Sequence, residues 1–198
     1  MADSLHKYAV TIPDRRTAKA FQTLLDRFFP KATELTTGTL DVGAVTATAA
    51  ELNRAADVSS RIVNHTAATL TVTEALHDGK TITVNKADGT AITLPAATGS
   101  GCKLKFVIGT TITSVGSTIK VVGNDTMVGF ALLAQDTADT SVLFGASGTD
   151  DTITLNGTTT GGTKGDIITL EDVAADLWLV NIVATATGTE ATPFSATV

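Results

Sequence analysis

A chain of 198 residues with 43% hydrophobic content can build one substantial core plus an arm. Only 5% of the residues are aromatic and 17% are charged, while Gly and Thr are abundant, a balance that suits short strands and turns and argues for an all-β fold. The single cysteine, Cys102, excludes an intrachain disulfide framework; no apolar run approaches the ~20 residues of a membrane-spanning helix, and Met1–Val10 lacks the apolar centre of a secretory signal, so a soluble protein made in the cytoplasm is expected.

The net charge of −6 is unevenly spread. Arg15, Arg16, Arg27, Arg54 and Arg61 are all the arginines, and they lie in the first third of the chain. After Lys120 the only basic residue is Lys164, facing a long series of carboxylates from Asp125 to Glu190. That asymmetry predicts a front end that meets an acidic surface and a back end that faces solvent.

Met1 to Pro13 reads as extended. Asp14 is placed to cap a helix from about Arg15 to Phe29, where Ala18, Phe21, Leu24, Leu25 and Phe28 recur at helical spacing and Pro30 marks the stop. Such a helix either covers an open end of its own β-domain or docks on another protein, and the polar tether that follows, Lys31 to Val45, permits both. Thr48 and Glu51 then stand at capping-box spacing ahead of a short helix reaching about Ala56. Residues 1–60 therefore form an arm with two short helices.

From Ile62 the β pattern takes over, and residues 61–198 read as one β-domain. Strands are expected at Thr69–Thr73, Thr81–Val84, Thr90–Leu94, Leu104–Ile108, Thr118–Val122 and Met127–Leu133. Further strands follow at Ser141–Phe144, Thr152–Leu155, Ile167–Leu170 and Leu177–Ala184. Asp78-Gly79 and Asp88-Gly89 supply the positive φ of tight hairpins, and Pro95 ends its strand or confines it to an edge. Thr185 to Val198 is either a short terminal strand or a tail lying on a neighbour. Roughly ten strands at this spacing predict an antiparallel β-sandwich or barrel, jelly-roll-like; ITVN, AITLP, TITLNG and IITLED are alike locally, but no clean solenoid period emerges.

Chemistry-bearing residues are sparse. His6, His65 and His77 have no metal-ligand spacing and read as exposed or loop histidines. Cys102 with His77 is a combinatorial pairing, and the thiol reads as core filling. Gly157 to Gly165 lacks the GK[ST] ending of a phosphate loop and precedes a strand. Asp150-Asp151 and Asp136 with Asp139 read as solvated turn carboxylates. No carboxylate pair stands out as a glycosidase site, and the basic residues are too few, on an acidic chain, to predict nucleic-acid binding. The expectation is no catalytic residue, no cofactor, no metal and no membrane.

VTATAAELN (Val45 to Asn53) resembles a phrase of tailed-bacteriophage structural proteins. ITLPAATGSGCKLKFVIG (Ile92 to Gly109), the run from Asp150 to Val180 and GTEATPFSA (Gly188 to Ala196) resemble phage head decoration, or cement, proteins and related head-fibre modules. The resemblance implies a non-enzymatic virion protein on the outer capsid surface, with the major capsid protein and its own copies, as a homotrimer, for partners. On that reading the arm docks on the shell, with Phe21, Leu25 and Phe28 as apolar anchors and Arg15, Arg16 and Arg27 as charged contacts. The competing expectations are a fibre or spike module for host adhesion and, behind it, a small hydrolase on a β-scaffold.

Overall fold

The computed structural model describes residues 61–135 and 140–196; the arm predicted for residues 1–60, with both its helices, lies outside them. The described residues form twelve strands and a single helical turn. In chain order these are β1 (Ile62–His65), β2 (Thr69–Thr71), α1 (Glu74–His77), β3 (Thr81–Val84), β4 (Ala91–Thr93), β5 (Lys103–Ile108) and β6 (Ser117–Lys120). They continue with β7 (Thr126–Gln135), β8 (Ser141–Asp150), β9 (Thr152–Leu155), β10 (Ile167–Ala174), β11 (Leu177–Ala186) and β12 (Phe194–Ser195). Period-two alternation explains which side chains turn inward: β5 (KLKFVI) buries Leu104, Phe106 and Ile108 and leaves Lys103 and Lys105 exposed.

The strands belong to two sheets, one of seven strands in the order β1-β3-β5-β10-β11-β7-β8 and one of five in the order β12-β9-β6-β4-β2. Their connectivity corrects the expected antiparallel sandwich or barrel: both sheets are mixed, and neither closes into a barrel. The chain alternates between the sheets from β1 to β6, so β1, β3 and β5 pair in parallel in one sheet while β2, β4 and β6 pair in parallel in the other. This is a coil of three rungs, a solenoid-like start that the sequence hides. Register sets Ile62 beside Thr81 and Thr81 beside Lys105, and in the other sheet Thr69 beside Ala91 and Ala91 beside Thr118, so the rungs differ in length and leave no fixed period. Asp78-Gly79 and Asp88-Gly89 do turn, with φ of 68° and 83° at the glycines, but each leads into the next strand of the coil and closes no hairpin. Antiparallel pairing begins with β7 and β8, and β9 and β10 then run back along β6 and β5.

The inner faces share one core, with Trp178, Phe106, Ile82, Ile168 and Met127 fully enclosed. Each such side chain contributes about 1.5–3 kcal/mol through burial. The terminal segment pairs with β9 through Phe194 and Ser195, which decides for the short-strand reading.

Three buried carboxylates hold loops onto this frame. Asp172, with no exposed surface, takes the amide N–H groups of Thr98, Gly99 and Ser100 at 2.9, 2.7 and 2.9 Å, and the Ser100 hydroxyl donates to it at 2.8 Å. The Pro95-to-Gly101 stretch is thereby wound around one side chain of β10. Asp125 accepts from the Ala97 amide at 2.7 Å. Asp166 accepts from the amides of Gly162, Thr163 and Thr185 at 2.7, 2.9 and 2.9 Å, so the Gly157-to-Gly165 loop spends its donors on its own chain. Asp151 is buried too, with the Thr152 hydroxyl donating to it at 2.7 Å, which corrects its reading as a solvated turn carboxylate.

One turn carries strain. Val115 is 95% exposed and holds φ at 63°, a conformation that β-branched residues avoid. Val115→Asn is expected to raise stability by about 0.5–1 kcal/mol, seen as a higher midpoint in urea at unchanged slope. An unchanged or lower midpoint contradicts this.

Candidate binding surface

Strands β11 (LWLVNIVATA) and β7 (TMVGFALLAQ) are apolar at both parities, the pattern of strands covered on both faces. Their inward positions fill the core with Trp178, Val180, Ile182, Met127, Ala131 and Leu133. The outward positions carry Leu179, Val183, Phe130 and Leu132, where a solvent-facing sheet ordinarily carries polar residues.

Register makes these outward residues contiguous. Leu179 lies beside Val128, Asn181 beside Phe130 and Val183 beside Leu132; across the next pairing Leu132 lies beside Leu143 and Phe130 beside Gly145. The Phe130 ring lies near Gly145: a Cβ there would sit 3.9 Å from the ring edge, an ordinary contact. Exposure is 58% for Phe130, 61% for Leu143 and 54% for Val183, so this is a stripe of large apolar side chains open along the face. A bulge between Met127 and Val128, opposite Asp150 and Ser147, bends the β7–β8 pair at its end.

On the other half of the same face the sheet turns polar and basic. Lys80, Lys103, Lys105, Thr169 and Glu171 line an open groove of about 490 Å³ that runs up to Leu179 and Asn181. Lys103 Nζ and Glu171 Oε1 lie 3.2 Å apart, an exposed ion pair that contributes little to stability. The outer face of the seven-stranded sheet thus offers hydrophobic area beside directional charge, an arrangement for holding a macromolecular surface. A signal for it was present in the sequence: the both-parity apolar runs Met127 to Ala134 and Leu177 to Ala184, read there only as strands.

The residues singled out for chemistry are dispersed. Phe21, Leu25, Phe28, Arg15, Arg16 and Arg27 lie outside the described residues, as do His6, Asp136 and Asp139. His77 is buried, contrary to its reading as an exposed or loop histidine, with Nδ1 within 3.1 Å of the Thr73 amide nitrogen. His65 is half-buried, and its Nε2 lies 3.0 Å from the Ala67 carbonyl. Cys102 is buried; burial and the nearby negative charges of Asp78 and Glu74 push its thiol up to about 12, which leaves no thiolate at neutral pH. Among the described residues no three His, Cys, Asp or Glu side chains come together as a metal site. Burial pushes the Asp166 carboxyl up against the pull of its three amide donors. At Asp172 burial acts in the same direction, but the Thr98, Ser100 and Gly99 amides and the Ser100 hydroxyl outweigh it and hold the group at about 2.

No known family model matches the chain, and no curated protein is similar to it.

Proposed function

We propose that the protein is a non-enzymatic structural component of a tailed-phage virion that binds the outer capsid surface and reinforces the shell, with the major capsid protein and its own copies as partners. The observation that carries this reading is the apolar stripe of Phe130, Leu132, Leu143, Leu179 and Val183 beside a lysine-lined groove. Area of that kind supplies binding energy. The decoration-protein phrases around Val45, Ile92, Asp150 and Gly188 support it from the sequence side. The mechanism is mechanical: contacts spread over neighbouring shell subunits must break whenever those subunits separate, so bound copies raise the cost of separation.

Cosedimentation with empty capsid shells tests the proposal. The full chain is expected to saturate the shell at a copy number in the hundreds, and removal of Met1 to Pro30 is expected to abolish binding. Full-strength binding without those residues overturns the role of the arm. Saturation in the tens with binding to host cells replaces the cement reading with a fibre or spike module. No binding to shells overturns both.

A further inference from the structure

We propose that the outer face of β11, β7 and β8 is the surface through which copies of this chain pack against one another. The inference deepens the self-association part of the reading above and rests on it for the choice of a second copy as occupant.

Three observations bear on that choice. The first is charge. The outward residues of the stripe, among them Val128, Phe130, Leu132, Leu143, Leu179 and Val183, are all uncharged, in a chain of net charge −6. Copies of an acidic protein repel one another over most of their surfaces, and an uncharged apolar face lets them meet without like-charge contact. The lysines of the face lie in the groove on its other half, and the stripe itself offers no charge to an acidic or basic partner.

The second is area. From their fractional exposure, Phe130, Leu132, Leu143, Leu179 and Val183 present roughly 500 Å² of apolar surface. A stable interface buries about 800 Å² on each partner, of which about 60% is apolar. The stripe therefore matches the apolar share of one such interface.

The third is the edge. Among the described residues β8 ends the seven-stranded sheet, and over Ser141–Asp150 it carries no proline, no lysine and no charge before Asp150 itself. Those are the features that ordinarily protect an edge strand from pairing with another chain. Its far side offers backbone groups to an identical strand, which adds direction to the hydrophobic contact.

The test is the mass of the full chain in solution, without shells, by sedimentation equilibrium at micromolar concentration. Wild type is expected at a multiple of 20.2 kDa. Phe130→Lys with Leu143→Lys is expected to weaken self-association by at least about tenfold and return the protomer mass, with the β-sheet circular dichroism unchanged. Val115→Lys, an exposed change away from the stripe, is expected to keep the wild-type mass. Should the double variant fail to fold, Leu143→Cys replaces it: a disulfide-linked dimer on mild oxidation supports the proposal, since buried Cys102 does not compete. Wild type at the protomer mass, with the stripe covered by residues 1–60 or open, overturns the inference. So does an oligomer that survives both lysines, or a Leu143→Cys chain that forms no dimer. Shell binding is read separately, so a protomer that still cosediments with shells sinks this inference and leaves the capsid reading standing.

Discussion

Asp172→Ala is expected to destabilise the β-domain by about 3–5 kcal/mol, because it strips a buried carboxylate from the donors wound around it. The amides of Thr98, Gly99 and Ser100 all point at its two oxygens, and alanine leaves those three amides without this acceptor, while the Ser100 hydroxyl keeps Glu74 Oε1 within 2.9 Å. The loop also depends on its glycines: Gly99 and Gly101 sit at φ of 76° and 75°, a conformation that glycine adopts without the steric cost other residues meet. Urea denaturation measures the effect, and a loss under about 1 kcal/mol would show that the loop keeps its path unaided.

The same group gives a pH signature. Its folded pKa, about 2, lies below the unfolded value near 3.9, so its contribution is fully present above about pH 4 and is lost as the pH falls towards 2. Asp166 acts in the opposite sense: its raised pKa means its charged form is disfavoured in the fold, so acidification from above down to the unfolded value favours the folded state, on the higher-pH side of the Asp172 window. Wild type should therefore lose stability between pH 4 and pH 2 faster than Asp172→Ala does, and the gap between them should narrow. A gap that stays constant over that range removes the carboxylate from the account.

Gly129→Ala is expected to cost about 3 kcal/mol or more and to disturb the pairing of β7 with β11. Gly129 sits opposite Val180 at φ of 136°, and a Cβ there would fall 1.8 Å from the Val180 carbonyl oxygen and 2.9 Å from its carbon. The obstacle is backbone, so no rotamer change relieves it. The strands must part, and with them the register that sets Phe130 beside Asn181 and Leu132 beside Val183. Gly145→Ala, one strand over, makes a contrast: its Cβ meets only the Phe130 ring at 3.9 Å, an ordinary contact, and the change should stay within about 1 kcal/mol. Urea midpoints of the two variants, with amide exchange along β7 and β11, separate close backbone approach from a general intolerance of alanine. Equal costs at both sites would refute the close-approach argument.

What the sequence by itself determined is local. Alternation in TITV and TITL marks β3 and β9 and says which residues turn inward; Pro95 ends β4; among the described residues the strands begin at Ile62. The core position of Cys102 was legible for the same reason, since a lone small thiol between strands is apolar in character. These features depend on side chains a few residues apart. Sheet membership does not: an Asp-Gly turn serves a hairpin and a coil corner equally well, and only the register of Ile62, Thr81 and Lys105 along one sheet reveals which was built. Unequal rungs erased the period that would have shown the coil.

Asp151 was read as solvated, and the anchoring of loops by Asp125, Asp166 and Asp172 went unread, for a parallel reason: a carboxylate becomes a loop anchor only when donors distant in sequence, such as Thr98 for Asp172, are folded onto it. The candidate surface sits between the two cases. The both-parity apolar runs of β7 and β11 were written in the chain, but apolar character at both parities fits a strand buried on both faces as well as one with an open face. Tertiary structure decided it, by placing these strands in the seven-stranded sheet with the core on one side and an open face on the other.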